Sequence, residues 1–339
     1  MNPNLLRLLA AALLLPLLPA ISSCVHEFPA PAELTGVRLH VRHNIDWEDY
    51  DFNFTRAESE WQARYIYRVY PKGYTQVATA EFTEFRDDLS LSDFSTTLPL
   101  PPGDWDIYVW QDFVRSDGYG FYDAADFSAI SYSSPYTGNT DRRDAFEAGL
   151  SLTVGSSIEA DYTENAEIEL SRPVAKYVFV ATDFEKFYHK MQTRADNASD
   201  GQILPSWGQL DDSQRNEFLK GFEIVGLYPF FMPSVYDLFS GKVTDSSRNI
   251  SYTGGIRPYD EKYAEIAFDY VFLDDQPGSV QVQIGLRWPD GSLSALCNTI
   301  TVPLKRSQTT YVYGEFLTTD IGSGLDVDFS FSGDFNIKL

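Results

Sequence analysis

Apolar and polar positions alternate with period two along most of this chain, the pattern of strands that turn one face inward. Val37, Leu39 and Val41 alternate with Arg38, His40 and Arg42. Tyr65, Tyr67 and Val69 alternate with Ile66, Arg68 and Tyr70, and Ile107 and Val109 with Tyr108 and Trp110. Val280–Trp288, Leu293–Val302 and Thr309–Leu317 read as further strands. Turn signals separate them: Pro71-Lys72-Gly73, Pro101-Pro102-Gly103, Gly254-Gly255, Gln276-Pro277-Gly278 and Pro289-Asp290-Gly291. Many short strands between such turns predict β-sandwiches.

Two segments carry the helical period instead. Thr182 to Glu185 has capping-box spacing, and Phe184, Phe187, Tyr188 and Met191 follow at i, i+3, i+4 and i+7. Asp211 to Gln214 caps a second short helix that ends near Phe222, and the polar stretch Thr193–Gly201 between the two reads as a loop. Near Ser171-Arg172-Pro173 one strand-like run, Glu167–Leu170, gives way to another, Val174–Val180, and Pro173 disfavours helix at Arg172. A chain of this size exceeds one small core. The expected organisation is therefore an N-terminal β-sandwich over 36–171 and a C-terminal one over 172–339, all-β with one or two short helices in the second.

The first residues read MNPNLLRLLAAALLLPLLPAISSC. One positive charge, Arg7, precedes an apolar run broken by Pro16 and Pro19. That run falls short of the ~20 apolar residues a spanning helix needs. Ile21-Ser22-Ser23-Cys24 then looks like a lipobox, which makes 1–23 an export signal, Cys24 the lipidated N-terminus and 24–35 a linker. The competing reading is an ordinary signal with a chance cysteine. Of the two cysteines, acylation of Cys24 leaves Cys297 without a disulfide partner, so Cys297 reads as a small buried hydrophobe. Acyl chains at ~0.8 kcal/mol per buried CH₂ would tether the protein to a bilayer without crossing it.

Charge narrows the partners. There are 49 Asp and Glu against 26 Lys and Arg. Such an acidic chain lacks the basic footprint that nucleic acid requires, and it does not suit anionic headgroups either. The catalytic inventory is thin. The histidines are His26, His40, His43 and His189, with His40 and His43 on opposite faces of one strand. No GxSxG, Walker loop, GxGxxG or CxxC is present, and the acidic stretch Asp117–Asp126 lacks EF-hand spacing. The expectation is no catalytic site, no metal and no cofactor. The tryptophans are Trp47, Trp61, Trp105, Trp110, Trp207 and Trp288, and Trp207, in Pro205-Ser-Trp-Gly, is the one expected to be exposed for stacking on a sugar.

Several phrases together resemble a known family. They are Val25-His26-Glu27 after the lipobox, the strands Gly36–Val41 and Ala63–Tyr70, and Leu98-Pro-Leu-Pro-Pro-Gly-Asp-Trp-Asp-Ile-Tyr-Val-Trp-Gln-Asp112. Arg172-Pro-Val-Ala-Lys-Tyr-Val178 and the run from Tyr228-Pro-Phe-Phe-Met-Pro to Ser246 complete the series. In order and extent these resemble the Bacteroidales fimbrial lipoproteins, the FimB/Mfa-type anchor and minor-subunit group of the fimbrillin superfamily. The resemblance implies two tandem transthyretin-like β-sandwiches, a lipid anchor in the outer membrane, and a non-enzymatic role in anchoring or assembling fimbriae with fimbrillin or other pilus subunits. Fimbrillins in such systems are processed after an arginine; Arg56 is the early candidate here, with an ordinary loop arginine as the competing reading. Only Glu27 stands where surface-exported lipoproteins of that phylum carry an acidic run, so the membrane face stays open. The alternative function is a glycan-binding surface lipoprotein of a polysaccharide-uptake system.

Leu325, Val327, Phe329 and Phe331 alternate with polar residues, Gly333-Asp334 reads as a two-residue turn, and Phe335, Ile337 and Leu339 alternate again. Two readings follow: a hairpin closing the second sandwich, or a strand that joins subunits by strand exchange, with Phe335, Ile337 and Leu339 as its apolar positions.

Overall fold

A computed structural model describes residues 36–44, 60–87, 93–156, 163–198, 205–318, 327–331 and 336–337. The alternating segments form strands. The first half holds β1 (Gly36–His43), β2 (Trp61–Pro71), β3 (Ala80–Arg86), β4 (Phe94–Pro99), β5 (Gly103–Arg115), β6 (Tyr122–Asp123), β7 (Ile130–Tyr132), β8 (Phe146–Val154) and β9 (Thr163–Leu170). The second half opens with β10 (Val174–Ala181), then the helices α1 (Phe184–Ala198) and α2 (Asp212–Leu219). It continues with β11 (Glu223–Tyr228), β12 (Met232–Asp237), β13 (Lys242–Ser247), β14 (Ile250–Gly254), β15 (Arg257–Pro258) and β16 (Ala264–Phe272). Last come β17 (Gly278–Arg287), β18 (Ile300–Leu304), β19 (Thr309–Gly314), β20 (Val327–Phe331) and β21 (Asn336–Ile337).

The sheets stack in layers. Sheet β4-β1-β9 faces sheet β3-β2-β5-β8, and Val37, Leu39, Tyr65, Tyr67, Ile107 and Val109 are buried between them. The reverse face of β2 and β5 is covered as well: Ile66 and Trp110 lie in a cluster with Val178, Val180, Phe268 and Phe272 of the second half. Those residues belong to the sheet β15-β16-β10-β19-β20-β21, whose other face packs on the sheet β14-β11-β17-β18 and on α1. Burial on both sides explains the nearly continuous apolar run of β10, where Val174, Val178 and Val180 face one cluster and Ala175, Tyr177 and Phe179 the other.

The two halves are more than neighbours. β9 and β10 end and begin at Leu170 and Val174 in different sheets, yet the small sheet β13-β12-β7-β6 takes strands from both halves. Its cross-pairs are Val235 with Ser131 and Tyr236 with Ile130.

The helical expectations land with two adjustments: α1 outruns its expected end, and α2 stops at Leu219 and not near Phe222. α1 buries Phe184, Phe187, Tyr188 and Met191, each full burial being worth about 1.5–3 kcal/mol. It runs on to Ala198, into the stretch expected to be loop. Asp183, immediately before it, turns its carboxylate to Leu317 N (3.1 Å), Thr318 N (2.7 Å) and Thr318 Oγ1 (2.7 Å), pinning the end of the β19 segment. α2 has the expected capping box, with Gln214 N donating to Asp211 Oδ1 (2.8 Å) and Asp211 N to Gln214 Oε1 (3.0 Å). The expected strand Leu293–Val302 is regular only from Ile300; before that the chain runs beside β17 through single bonds such as Cys297 N to Ile284 O (2.8 Å).

Candidate functional site

The last strand, read from the sequence either as a closing hairpin or as a strand that joins subunits, falls at the edge of the six-stranded sheet. β19 is parallel to β10, β20 pairs antiparallel with β19 from Thr310↔Phe331 to Gly314↔Val327, and β21 pairs with β20 through Phe329↔Ile337 and Ser330↔Asn336. Ile337 therefore stands in β21, while Phe335, Leu339 and the expected turn Gly333-Asp334 lie outside the described residues. Among the described residues β21 has β20 as its one neighbour, so the sheet order ends at this short strand, the position at which strand addition takes place in general. Cys24, Arg56 and Trp47 also lie outside the described residues.

A polar cluster that the sequence did not announce sits where the halves meet. Asp269 of β16 is fully buried and accepts hydrogen bonds from Tyr136 Oη (2.6 Å) and Tyr228 Oη (2.8 Å). Tyr177 Oη lies 2.5 Å from Tyr228 Oη and 2.9 Å from Tyr252 Oη, extending the chain of hydroxyls. Arg143, from the first half, places Nε 3.4 Å from Asp269 and donates to Thr137 O (2.9 Å) and Tyr270 O (3.1 Å). Its guanidinium is held between the rings of Tyr132 and Tyr136, 4.3 and 4.2 Å from their centroids. Burial pushes the Asp269 carboxyl above its ordinary value, against the pull of Arg143 and the two tyrosine hydroxyls. An aspartate in the middle of the mostly apolar strand Ala264–Phe272, set within the apolar run Ile266–Phe272, was the available signal for this cluster.

A second set of ions fixes the crossing itself. Arg172 Nε donates to both oxygens of the buried Asp144 at 2.9 Å, and Arg306 reaches Glu147, Asp275 and the carbonyl of Arg172. Tyr236 Oη adds a bond to Glu147 (3.2 Å), and Glu147 and Ser171 exchange backbone bonds. The Arg172-Pro173 crossing is thus anchored by its side chain and by its carbonyl.

The other candidates scatter. Trp207, expected at the surface, is only 9% exposed because Phe184, Tyr188 and Phe218 pack edge-on against it. A loop with few apolar neighbours in sequence hid that contact with two helices. Cys297 is half-buried, its Sγ accepts from Ile284 N (3.2 Å), and burial raises its pKa, the setting of an unreactive thiol. His43 is buried against Tyr65 and Phe146, His40 faces Ser95 on the other side, and His189 bonds Gln192. Asp117 accepts from Arg115 and from Tyr119 N, as a turn residue does. Among the described residues no group of three or more His, Cys, Asp or Glu is placed to hold a metal, and no helix is long and apolar enough to cross a membrane.

A family model, described as a family of unknown function (DUF6562), matches residues 31–339. No curated protein matches the chain. Solved structures with similar folds include the fimbrial anchor protein Mfa2 from Porphyromonas gingivalis, at 11% identity and TM-score 0.43, covering 89% of this chain and 99% of that one. The tip fimbrial protein Mfa3 of the same organism, with a C-terminal truncation, gives 11% identity and TM-score 0.42 over 87% and 99%. A Bacteroides thetaiotaomicron protein described as polysaccharide-binding (DUF1812) gives 12% identity and TM-score 0.45 over 88% and 96%.

Proposed function

The chain belongs to the DUF6562 family, and we propose that it is a non-enzymatic, lipid-anchored outer-membrane protein that anchors or helps to assemble fimbriae. In this reading Cys24 carries the lipid, residues 24–35 are the tether, and two transthyretin-like sandwiches divide at Arg172-Pro173. Fimbrillin or another pilus subunit is the partner. The observation that carries the proposal is the sheet edge at β20–β21: a strand there can be shared with, or extended by, a second subunit through backbone hydrogen bonds alone. The lipobox at Ile21–Cys24 and the ordered series of family phrases support it.

Affinity purification of the tagged chain from its native envelope tests the partner. Co-purifying fimbrial subunits are expected; transport components without pilus subunits would overturn the proposal. The anchor is tested separately. Cys24→Ser should move the protein out of the membrane fraction, and a variant that stays there after a high-salt wash would show the tether to be misassigned.

A further inference from the structure

Two large apolar side chains stand in water on a single turn. Tyr74 is 48% exposed and Val77 69%, both within residues 71–79 between β2 and β3. The turn is built and held. Lys72 N donates to Asp104 O (3.1 Å), Tyr74 N to Pro71 O (2.9 Å) and Thr79 N to Val69 O (2.7 Å). Gly73, at φ +76°, donates its amide to Asp106 Oδ2 (2.7 Å), and the buried Asp106 also accepts from Ser151. The Tyr74 hydroxyl donates to Gln76 (3.1 Å). A turn ordered in this way gives up little conformational freedom when it meets a partner.

The turn lies at the end of the first sandwich where β1 enters. Gly36 pairs with Pro99 of β4 and with Thr163 of β9. Pro99 leads through Pro101-Pro102 into β5, where Trp105 pairs with Pro71 and its Nε1 donates to Pro101 O (3.0 Å). Pro71, Lys72 and Pro102 are exposed beside Tyr74 and Val77. The inference rests on the lipid anchor at Cys24 proposed above. Residues 24–35 lie between that anchor and Gly36, and at ~3.3–3.6 Å per residue they reach at most about 40 Å. A tether that short holds this end at a millimolar effective concentration next to the bilayer, so even a weak contact is occupied.

We propose that the turn 71–79 docks on the zwitterionic phospholipid surface of the bilayer that carries the anchor. Val77 enters the boundary between headgroups and acyl chains. Tyr74 lies at headgroup depth, with its ring towards the chains and its hydroxyl in the polar layer. Lys72 lays its stem along the apolar boundary and leaves its ammonium among the phosphates. Charge sets the lipid class. Asp104, bonded by Thr153, is an exposed carboxylate beside the turn, and the full sequence carries a formal net charge of −23. Anionic headgroups repel such a body, so apolar insertion drives the contact. Phe85, the exposed aromatic of the same hairpin, stands near the far end of β3 and outside the contact.

The test reconstitutes the full lipidated chain into phosphatidylcholine vesicles. Val77→Cys and Phe85→Cys, each with Cys297→Ala so that one free thiol remains, carry an environment-sensitive dye. Flotation reads anchoring, and dye emission reads insertion. The Val77→Cys label is expected to shift to the blue on reconstitution and to be quenched by brominated acyl chains, while the Phe85→Cys label stays as in water. Tyr74→Ser should reduce the shift. The unsubstituted chain gives a second readout: acetylation of Lys72 should fall several-fold on vesicles, and that of Lys220 on α2, 74% exposed, should not change. Added phosphatidylglycerol should weaken both effects. A floated chain with an unshifted Val77→Cys label and an unprotected Lys72 overturns the docking alone. A Phe85→Cys label that shifts as far, or effects that grow with phosphatidylglycerol, overturn it as well. A chain that does not float overturns the anchor, and the docking with it.

Discussion

Replacing Arg143 by methionine removes a guanidinium that is 1% exposed and leaves the carboxylate of Asp269 fully buried with two tyrosine hydroxyls. Breaking a buried pair from one side costs about 3–5 kcal/mol, because the remaining charge is uncompensated. Methionine fills much of the volume, so little of the loss comes from a cavity. At about 2 °C per kcal/mol for a chain of this length, the melting temperature should fall by roughly 6–10 °C. The carboxyl can relieve part of this by taking up a proton. Its pKa is already raised in the native protein, and without Arg143 it rises further. A raised folded pKa means that stability is present at low pH and lost as pH rises through that value. The deficit of Arg143→Met against the native chain should therefore be smaller at pH 5 than at pH 8. The double variant Arg143→Met/Asp269→Asn removes both charges and should be more stable than Arg143→Met alone. Urea or thermal unfolding at the two pH values measures all three proteins. A double variant no more stable than Arg143→Met alone, or a deficit identical at both pH values, would refute the reasoning.

The remaining predictions concern single contacts. Asp183→Asn keeps one acceptor where three donors converge, and should cost about 1–3 kcal/mol. Because burial holds the folded pKa of Asp183 above its ordinary value, the native chain gains stability as pH falls through it, and the gap to Asp183→Asn should widen between pH 7 and pH 4.5 in thermal melts. Gly254→Ala drives a Cβ to 2.5 Å from the Ile266 carbonyl and should destabilise by about 1–3 kcal/mol, whereas Gly255→Ala meets nothing within 4 Å and should be neutral in the same melts. Deleting Gly333–Leu339 separates the two readings of the last strand: a lower melting temperature supports the closing hairpin, and an intact fold with failed fimbrial assembly supports strand joining.

What the sequence revealed followed from local periodicity. β1, β5 and β17 lie where alternation placed them, and α2 begins at the cap that Asp211 and Gln214 announced, since each depends on neighbours within a few residues. Contacts between distant segments were not legible. Ile66 and Trp110 read as the outer positions of one-sided strands, but a second sheet covers them. Trp207 read as exposed because its packing partners Phe184, Tyr188 and Phe218 arrive from two helices. The Arg143–Asp269 pair joins residues over a hundred positions apart, and nothing in either local pattern names the other.

The shared sheet also imposes an order in time. β7 and the outer face of β5 are made early, yet Tyr236 and Phe272, which help to cover them, arrive about 105 and 160 residues later; at ordinary synthesis rates that is a wait of roughly 5–30 s. During that interval Ile66 and Trp110 have Tyr122 and Ile130 of their own half beside them but lack Val178, Val180, Phe268 and Phe272, and the apolar surface those residues will cover is open to other copies of the half-built chain. A chaperone that shields this face has a defined window of service, which closes when β16 docks.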